Sequence, residues 1–153
     1  MIRRLLAATW IACLAGTGLA SAAPCQGDPT SAKLEITIDN VDQSQGLMTA
    51  SLYPGDPTQF LIKNGALKVW SVPAEAPVTH MCIWLPKGPG VYAFAVFHDA
   101  NSNGKWDHAL LHKIEGFGFS NNPHTTFSAP SYESVKFHAG PGETVLHVRL
   151  RYP

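Results

Sequence analysis

The residues best suited to chemistry lie in one short segment that is rich in aspartate and asparagine. Counted from Asp99, side-chain oxygens fall at positions 1, 3, 5 and 9 of this segment, and Gly104 stands at position 6. This is the ligand spacing of a calcium-binding loop, in which alternate residues point at the ion and the glycine permits a sharp turn. Because ligands that are all oxygen disfavour zinc and copper, the pattern predicts a calcium site.

The predicted ligand set extends beyond the loop. Its members are Asp99, Asn101, Asn103, the carbonyl of Lys105, Asp107 and Glu115. Position 12, where a helix-loop-helix site places a bidentate glutamate, holds Leu110, so Glu115 is the nearest further carboxylate. Binding is expected to be weak, with a Kd of roughly 10⁻⁴ to 10⁻³ M. The alternative is that these side chains only bond the backbone of a tight loop.

A second motif, of alternating glycines and aromatic residues, follows the acidic loop. It runs from Gly116 to Phe119 and precedes two asparagines. Phe117 and Phe119 would either line a groove for a ligand or plug the open end of the fold, and core packing is the commoner use of phenylalanine. An apolar cleft beside them would favour a carrier of a small ligand or carbohydrate, with Trp106 as a further contact.

Patterns typical of enzymes are absent from the sequence. The seven histidines include no His-x-His pair and no HExxH motif, and there is no Gly-x-Ser-x-Gly nucleophile turn. A metal-dependent enzyme that uses His98, His108 and His112 is kept as an alternative. The sequence predicts no catalytic residues and no enzyme activity.

The elements that must position these residues are predicted to be strands. Period-two alternation of apolar and polar residues, typical of half-buried strands, recurs along the chain. The predicted strands are 33–39, 47–53, 67–72, 79–85, 91–97, 132–138 and 144–152. In 91–97 both faces are apolar, which indicates a central strand. The one helix candidate begins at Asp56-Pro57 and ends before Gly65.

This pattern predicts an all-β fold. We expect a single seven-stranded antiparallel β-sandwich with Greek-key connections, transthyretin-like or immunoglobulin-like, and one long loop over 108–130. The sandwich domain should occupy residues 33–153 of the 153.

Composition fits one folded domain and weighs against some partners. Apolar residues make up 45% of the chain and charged residues 14%, so a sizeable core can form and a disordered tail is excluded. The 11 basic and 11 acidic residues balance, and no run of lysine or arginine is present. Nucleic acid is therefore not an expected partner.

The first 22 residues have the pattern of an export signal. Arg3 and Arg4 precede an apolar run over 5–19, and small residues occupy 20–22. We expect cleavage after Ala22, a flexible mature N-terminus over 23–32, no membrane span in the mature protein, and a periplasmic or secreted location.

Removal of the signal would leave two cysteines, Cys25 and Cys82. In an oxidising compartment a lone pair of cysteines is more often joined than free, so a disulfide is predicted. The alternative is that Cys25 lies on a frayed terminus while Cys82 packs as a small apolar residue.

Three stretches carry a resemblance to a known family. They are 85–93, 98–107 and 115–122, and together they resemble the secreted bacterial family called domain of unknown function 2141. The resemblance covers roughly residues 34–152 and implies no assigned activity. The strand pattern is also similar to sandwiches of the transthyretin and carboxypeptidase-regulatory type, a likeness of fold that does not fix function.

These observations lead to three hypotheses of function. The first is an exported, non-catalytic module whose calcium-ordered loop presents a surface to an unknown protein or cell-envelope component. The second is the small-ligand or carbohydrate carrier that uses Phe117 and Phe119. The third is the metal-dependent enzyme.

Overall fold

The computed structural model describes residues 24–107, 115–125 and 128–152. The predicted signal at 1–22, His108, Leu110 and His112 lie outside these ranges. The described residues form eight strands, a short 3₁₀ helix and one short α-helix. The strands are β1 (Ala32–Asp39), β2 (Leu47–Tyr53), β3 (Lys68–Pro73), β4 (Val78–Trp84), β5 (Gly90–Asp99), β6 (Phe117–Phe119), β7 (Phe137–Ala139) and β8 (Gly142–Arg149). The 3₁₀ helix is Pro57–Gln59, and α1 is Tyr132–Val135.

The strands form a sandwich of two sheets. The first sheet has the order β4-β1-β8, and the second has the order β3-β2-β5-β6, with β7 paired to the first residues of β5. All pairs are antiparallel except β1 and β8, which run parallel. The all-β sandwich predicted from the sequence is confirmed, while the described strands number eight rather than seven and are not wholly antiparallel.

The main core lies between the two sheets, where period-two alternation places one face of each strand. Leu34, Ile36 and Ile38 of β1 and Phe94 of β5 are all buried there. Burial of each such side chain contributes about 1.5–3 kcal/mol to folding, so this layer holds the sheets together.

The segment 132–138 begins as a helix and not as the predicted strand. Tyr132 and Val135 are both buried, and residues three apart share a face in a helix but not in a strand. The following residues then form β7, which pairs with Gly90–Tyr92. The apolar spacing therefore supports one helical turn before the strand.

The segment 117–119 forms β6, although the sequence pattern predicts no strand between 108 and 130. Three residues with a central glycine are too short to show alternation. Pairing with β5 fixes the strand, with Ala95 opposite Phe119 and Phe97 opposite Phe117.

β5 is a central strand, as the sequence predicts, paired on both sides, with its outer face covered only in part. Its inner face packs in the core, and Ala93 on its outer face lies in a second apolar cluster with Tyr53, Tyr132 and Val135. Helix α1 therefore covers only one part of the outer face of the second sheet. In the part of the chain that the structure describes, no helix is long and apolar enough to cross a membrane.

Candidate functional site

The acidic loop begins where β5 ends, because Asp99 is the last residue of that strand. Asp99 is buried, and its two carboxylate oxygens accept hydrogen bonds from the amides of Asn103 (2.9 Å) and Gly104 (2.8 Å). Gly104 has a φ of 73°, a left-handed conformation that favours glycine. The strand end and the glycine turn thus fix the loop together.

The middle of the loop is held by its own amide side chains. The amide nitrogens of Asn101 and Asn103 donate to one carboxylate oxygen of Asp107, at 2.7 and 2.8 Å. The side-chain oxygens of the same asparagines accept from the amides of Asn103 (3.0 Å) and Lys105 (2.7 Å). The bonds to backbone amides are those expected if these side chains only bond the backbone of a tight loop and hold no ion.

Glu115, which comes eight residues after Asp107 in the chain, holds the acidic loop closed. It is only 2% exposed, and its carboxylate accepts from the amides of Ala100 (2.9 Å) and Asp107 (2.8 Å). One side chain thereby binds both ends of the loop. Among the described residues, no lysine or arginine forms an ion pair with Asp99 or Glu115.

The acidic side chains lie near one another but do not form a tight ligand cluster. Within the described ranges, one group of three histidine, cysteine or acidic residues brings its ligand atoms within 4.8 Å of one another, and it is Cys25, Glu35 and Cys82. That group is accounted for by the cysteines, which lie at disulfide-bonding distance with Cα atoms 4.4 Å apart. Asp99, Asp107 and Glu115 are brought to one loop without that degree of convergence.

Trp106 connects the acidic loop to an apolar surface. Its indole nitrogen donates to the main-chain carbonyl of Glu115 at 3.0 Å, and its ring meets Phe117 edge to face with centroids 5.1 Å apart. The ring is 42% exposed. Trp106, at position 8 of the loop, therefore forms part of a wall on the outer face of the second sheet.

That wall borders a cavity of about 680 Å³. Most of its lining is apolar or aromatic, and includes Tyr53, Ala95, Phe97, Trp106, Phe117 and Phe119. Hydroxyl groups come from Ser51, Tyr53, Thr125 and Ser128, and none of the described lining residues is charged. The volume lies in the range of about 300–1,000 Å³ that is usual for small-molecule sites.

The aromatic rings along the cavity form a continuous chain of edge-to-face contacts. Phe117 meets Phe119 at 5.9 Å, Phe119 meets Phe60 at 6.3 Å, and Phe60 meets Tyr53 at 5.2 Å. Burial raises the pKa of the Tyr53 phenol, which therefore stays neutral and able to donate a hydrogen bond. Phe117 and Phe119 line a cavity on the outer face of the sheet, and do not plug the core between the sheets.

His98, a candidate of the enzyme hypothesis, is buried beside the acidic loop. Its Nε2 lies 2.7 Å from the carbonyl of Gln45, and because a carbonyl only accepts, this nitrogen carries a proton. Its Nδ1 lies 3.1 Å from the hydroxyl of Tyr152 and 3.2 Å from a carboxylate oxygen of Asp42. Both ring nitrogens are engaged within the protein, so the geometry gives His98 a positioning role at the end of β5.

Comparison with known families agrees with the motifs that lie along this site. A family model described as an uncharacterized protein conserved in bacteria, DUF2141, matches residues 36–147. The chain belongs to the DUF2141 family. The matched region contains the acidic loop, Glu115 and every described residue of the cavity lining, so both features lie within the family domain. No curated protein and no solved structure matches the chain.

Sequence reasoning on this family member found the loop but missed most of the cavity. Trp106, Phe117 and Phe119 were candidates from their types, whereas Ala95 and Phe97 are outer-face residues of the strand predicted to be central. When both faces of a strand are apolar, other parts of the chain are expected to cover them. In β5 the outer face is covered only in part. That unpaired apolar face was the available signal for the cavity.

Proposed function

We propose that this protein is a non-catalytic binding module of the bacterial cell envelope that takes up a small ligand in the cavity beside Trp106, Phe117 and Phe119. The observation that carries the proposal is the cavity itself, which lies where the sequence hypothesis of a carrier requires an apolar cleft. Apolar walls with a few hydroxyl groups are typical of ligand sites.

The position of the cavity on the sheet supports the same function. Ala95 and Phe97 lie on the outer face of β5 and remain partly exposed, although the neighbouring Ala93 is fully buried under α1. Apolar surface that stays partly open to water does not contribute its burial free energy to folding. A ligand that removes this surface from water would gain the free energy of its burial.

The proposal is tested by a ligand-observed NMR screen of a fragment library against the wild type, Ala95→Leu and Val145→Leu. Ala95→Leu places three further carbon atoms on the wall of the cavity and narrows it, whereas Val145→Leu enlarges an exposed side chain of β8 in the other sheet. We expect fragments that bind the wild type and Val145→Leu and lose binding in Ala95→Leu. If no fragment binds, or if Ala95→Leu binds the same fragments equally well, the cavity is not the ligand site.

We propose as a second function that the acidic loop binds calcium and thereby orders the wall of the cavity. The supporting observation is the burial of two carboxylates, Asp99 and Glu115, without a lysine or arginine partner among the described residues. Each of their oxygens accepts a hydrogen bond from one backbone amide, which leaves acceptor capacity for an ion. The ligand set remains Asp99, Asn101, Asn103, the Lys105 carbonyl, Asp107 and Glu115.

Calcium binding is tested by thermal melting across a calcium titration. Binding to the folded state would add about 2.7 kcal/mol of stability at a hundredfold excess over Kd. Asp99→Ala should abolish the rise in Tm, Asp28→Ala should leave it unchanged, and magnesium should do less because it demands octahedral geometry. A wild-type Tm that calcium does not move, or that magnesium raises equally, means that the loop is held by its own hydrogen bonds.

The proposed location is the periplasm or the exterior. It is supported by the signal-like pattern at 1–22 and by the disulfide-bonding distance between Cys25 and Cys82, since disulfides persist in oxidising compartments. Alkaline-phosphatase fusions to residues 1–30 test it, with Arg3→Glu/Arg4→Glu as the variant. A wild-type fusion that stays in the cytoplasm and is therefore inactive would contradict export.

A further inference from the structure

We infer that the ligand of the cavity is an uncharged molecule with a largely apolar, ring-containing body. The inference rests on the proposed function, because it names the chemical class that the same cavity selects. Three independent features of the lining lead to it, namely its charge, its aromatic geometry and its small number of hydrogen-bonding groups.

The charge of the described lining favours an uncharged ligand. None of the described lining residues is charged, so an ionic ligand would lose its hydration without gaining a partner. The guanidinium of Arg151 borders the cavity through the lining residue Thr125, to whose hydroxyl it donates at 3.1 Å. It also donates to the main-chain carbonyl of Asn122 at 3.4 Å, so two of its nitrogens already have partners within the protein.

The aromatic geometry favours rings. Trp106, Phe117 and Phe119 present a row of rings that already meet edge to face, at 5.1 and 5.9 Å, and Trp106 remains 42% exposed. A further aromatic or alicyclic ring can continue such a row by edge-to-face or offset contact, worth about 0.5–1.5 kcal/mol beyond the burial of area. The one polar atom of the Trp106 ring already donates to Glu115, so this residue offers a ligand only apolar contact.

The hydrogen-bonding groups of the lining are too few for a carbohydrate. Among the described lining residues they are the hydroxyls of Ser51, Tyr53, Thr125 and Ser128, with no side-chain amide, carboxylate or guanidinium. A sugar that buries several hydroxyl groups needs a partner for each of them. A ligand with one or two polar groups on an apolar body matches this set.

The inference is tested with two dyes that share one ring system and differ in charge. N-phenyl-1-naphthylamine is neutral, and 8-anilinonaphthalene-1-sulfonate carries a sulfonate. We expect the neutral dye to bind the purified protein at least about tenfold more tightly, which corresponds to about 1.4 kcal/mol. Maltotriose in large excess should not displace it. Ala95→Leu should weaken its binding about tenfold or more, whereas Val145→Leu should not.

A second readout keeps the test independent of how Ala95→Leu folds. Energy transfer from Trp106 to the bound dye should quench wild-type tryptophan emission, and Trp106→Phe should reduce that quenching. Trp70 and Trp84 stay in place in this variant, and Trp70 is buried in the main core.

The possible results distinguish a failure of the inferred ligand class from a failure of the proposed function. Equal or tighter binding of the sulfonated dye, blocked by Ala95→Leu, would overturn the uncharged class and leave the cavity as a ligand site. Displacement by maltotriose would overturn the apolar class in the same way. If neither dye binds, or if both bind equally well to Ala95→Leu and are not quenched through Trp106, the inference and the cavity site fall together.

Discussion

The indole nitrogen of Trp106 donates a 3.0 Å hydrogen bond to the main-chain carbonyl of Glu115, whose carboxylate in turn holds the amide of Asp107, the residue after Trp106. Glu115 is therefore bonded to two consecutive residues, to Trp106 through its carbonyl and to Asp107 through its carboxylate. Because Glu115 also accepts from Ala100 at the start of the loop, its carboxylate connects the acidic loop to the wall of the cavity.

Glu115→Gln should loosen the loop and move Trp106. The amide that replaces the carboxylate keeps one acceptor oxygen and turns a donor toward the other backbone amide, so one buried N–H loses its partner. We expect a loss of about 1–3 kcal/mol in the free energy of unfolding, measured by urea denaturation in the presence of a chelator. The emission of Trp106 should shift to the red.

Glu143→Gln is the control for this variant. Glu143 forms a surface ion pair with Lys33 at 2.8 Å, and pairs of this kind contribute about 0–1 kcal/mol. A cost for Glu115→Gln that is no larger than that of the control would show that the buried carboxylate does not hold the loop.

The acidic loop was predictable from sequence because its chemistry is local. Side chains from Asp99 to Asp107 interact with amides two to six residues away, and such spacing is visible in the chain itself. Glu115 was found as the nearest carboxylate. Its hydrogen bonds to both ends of the loop depend on how the chain returns to β5, and no local pattern encodes them.

Gly118→Ala should destabilise the protein because β6 packs closely on β8. A Cβ at this glycine would lie 2.6 Å from a methyl carbon of Val148 and 3.2 Å from the carbonyl of Arg149. Overpacking of this kind costs about 1–3 kcal/mol. Gly140→Ala is the matched control, since a Cβ there meets nothing within 4 Å and should change stability by about 0.5 kcal/mol or less. Equal Tm values for both variants would contradict the packing of β6 against β8.

The strands were predictable where they are long and half-buried, and not where pairing alone defines them. In β1 the burial alternates strictly along Ala32–Asp39, and the sequence shows the same period. β6 has three residues, and tertiary packing decides its state. The helical turn at Tyr132–Val135 is an intermediate case, because its two buried residues are three apart and the strand prediction gave too much weight to the residues that follow.

Cys25 and Cys82 should be joined by a disulfide. The protein should then contain no free thiol once the first 22 residues, which include Cys13, have been removed. The pair is separated by 57 residues, and a disulfide across a loop of that length contributes roughly 2–4 kcal/mol through the entropy of the unfolded chain. Thiol titration of the denatured, unreduced protein measures the first point, and melting with and without reductant measures the second. A Cys25→Ser/Cys82→Ser variant should be insensitive to reductant. Two titratable thiols in the wild type would contradict the disulfide.

Tyr152 should make the folded state sensitive to alkaline pH. Burial raises the pKa of its phenol from 10.0 to about 12, and the nearby Asp42 carboxylate also raises it, while the hydrogen bond from the Asp42 amide acts in the opposite direction. The folded state thus favours the neutral phenol. The resulting stability is fully present below the pKa of the unfolded chain, and is lost as the pH rises from about 10 to about 12.

Tyr152→Phe tests this prediction, because it removes the titrating group and keeps the ring that packs against Gly116. The free energy of unfolding of the variant should fall less steeply than that of the wild type between about pH 10 and 12. Burial also raises the pKa of Tyr53, Tyr92 and Tyr132, so part of the alkaline loss should persist in the variant. The absorbance of tyrosinate, followed in the same samples, should lose its component of highest pKa. A variant that parallels the wild type across this interval would mean that the Tyr152 phenol titrates as if exposed.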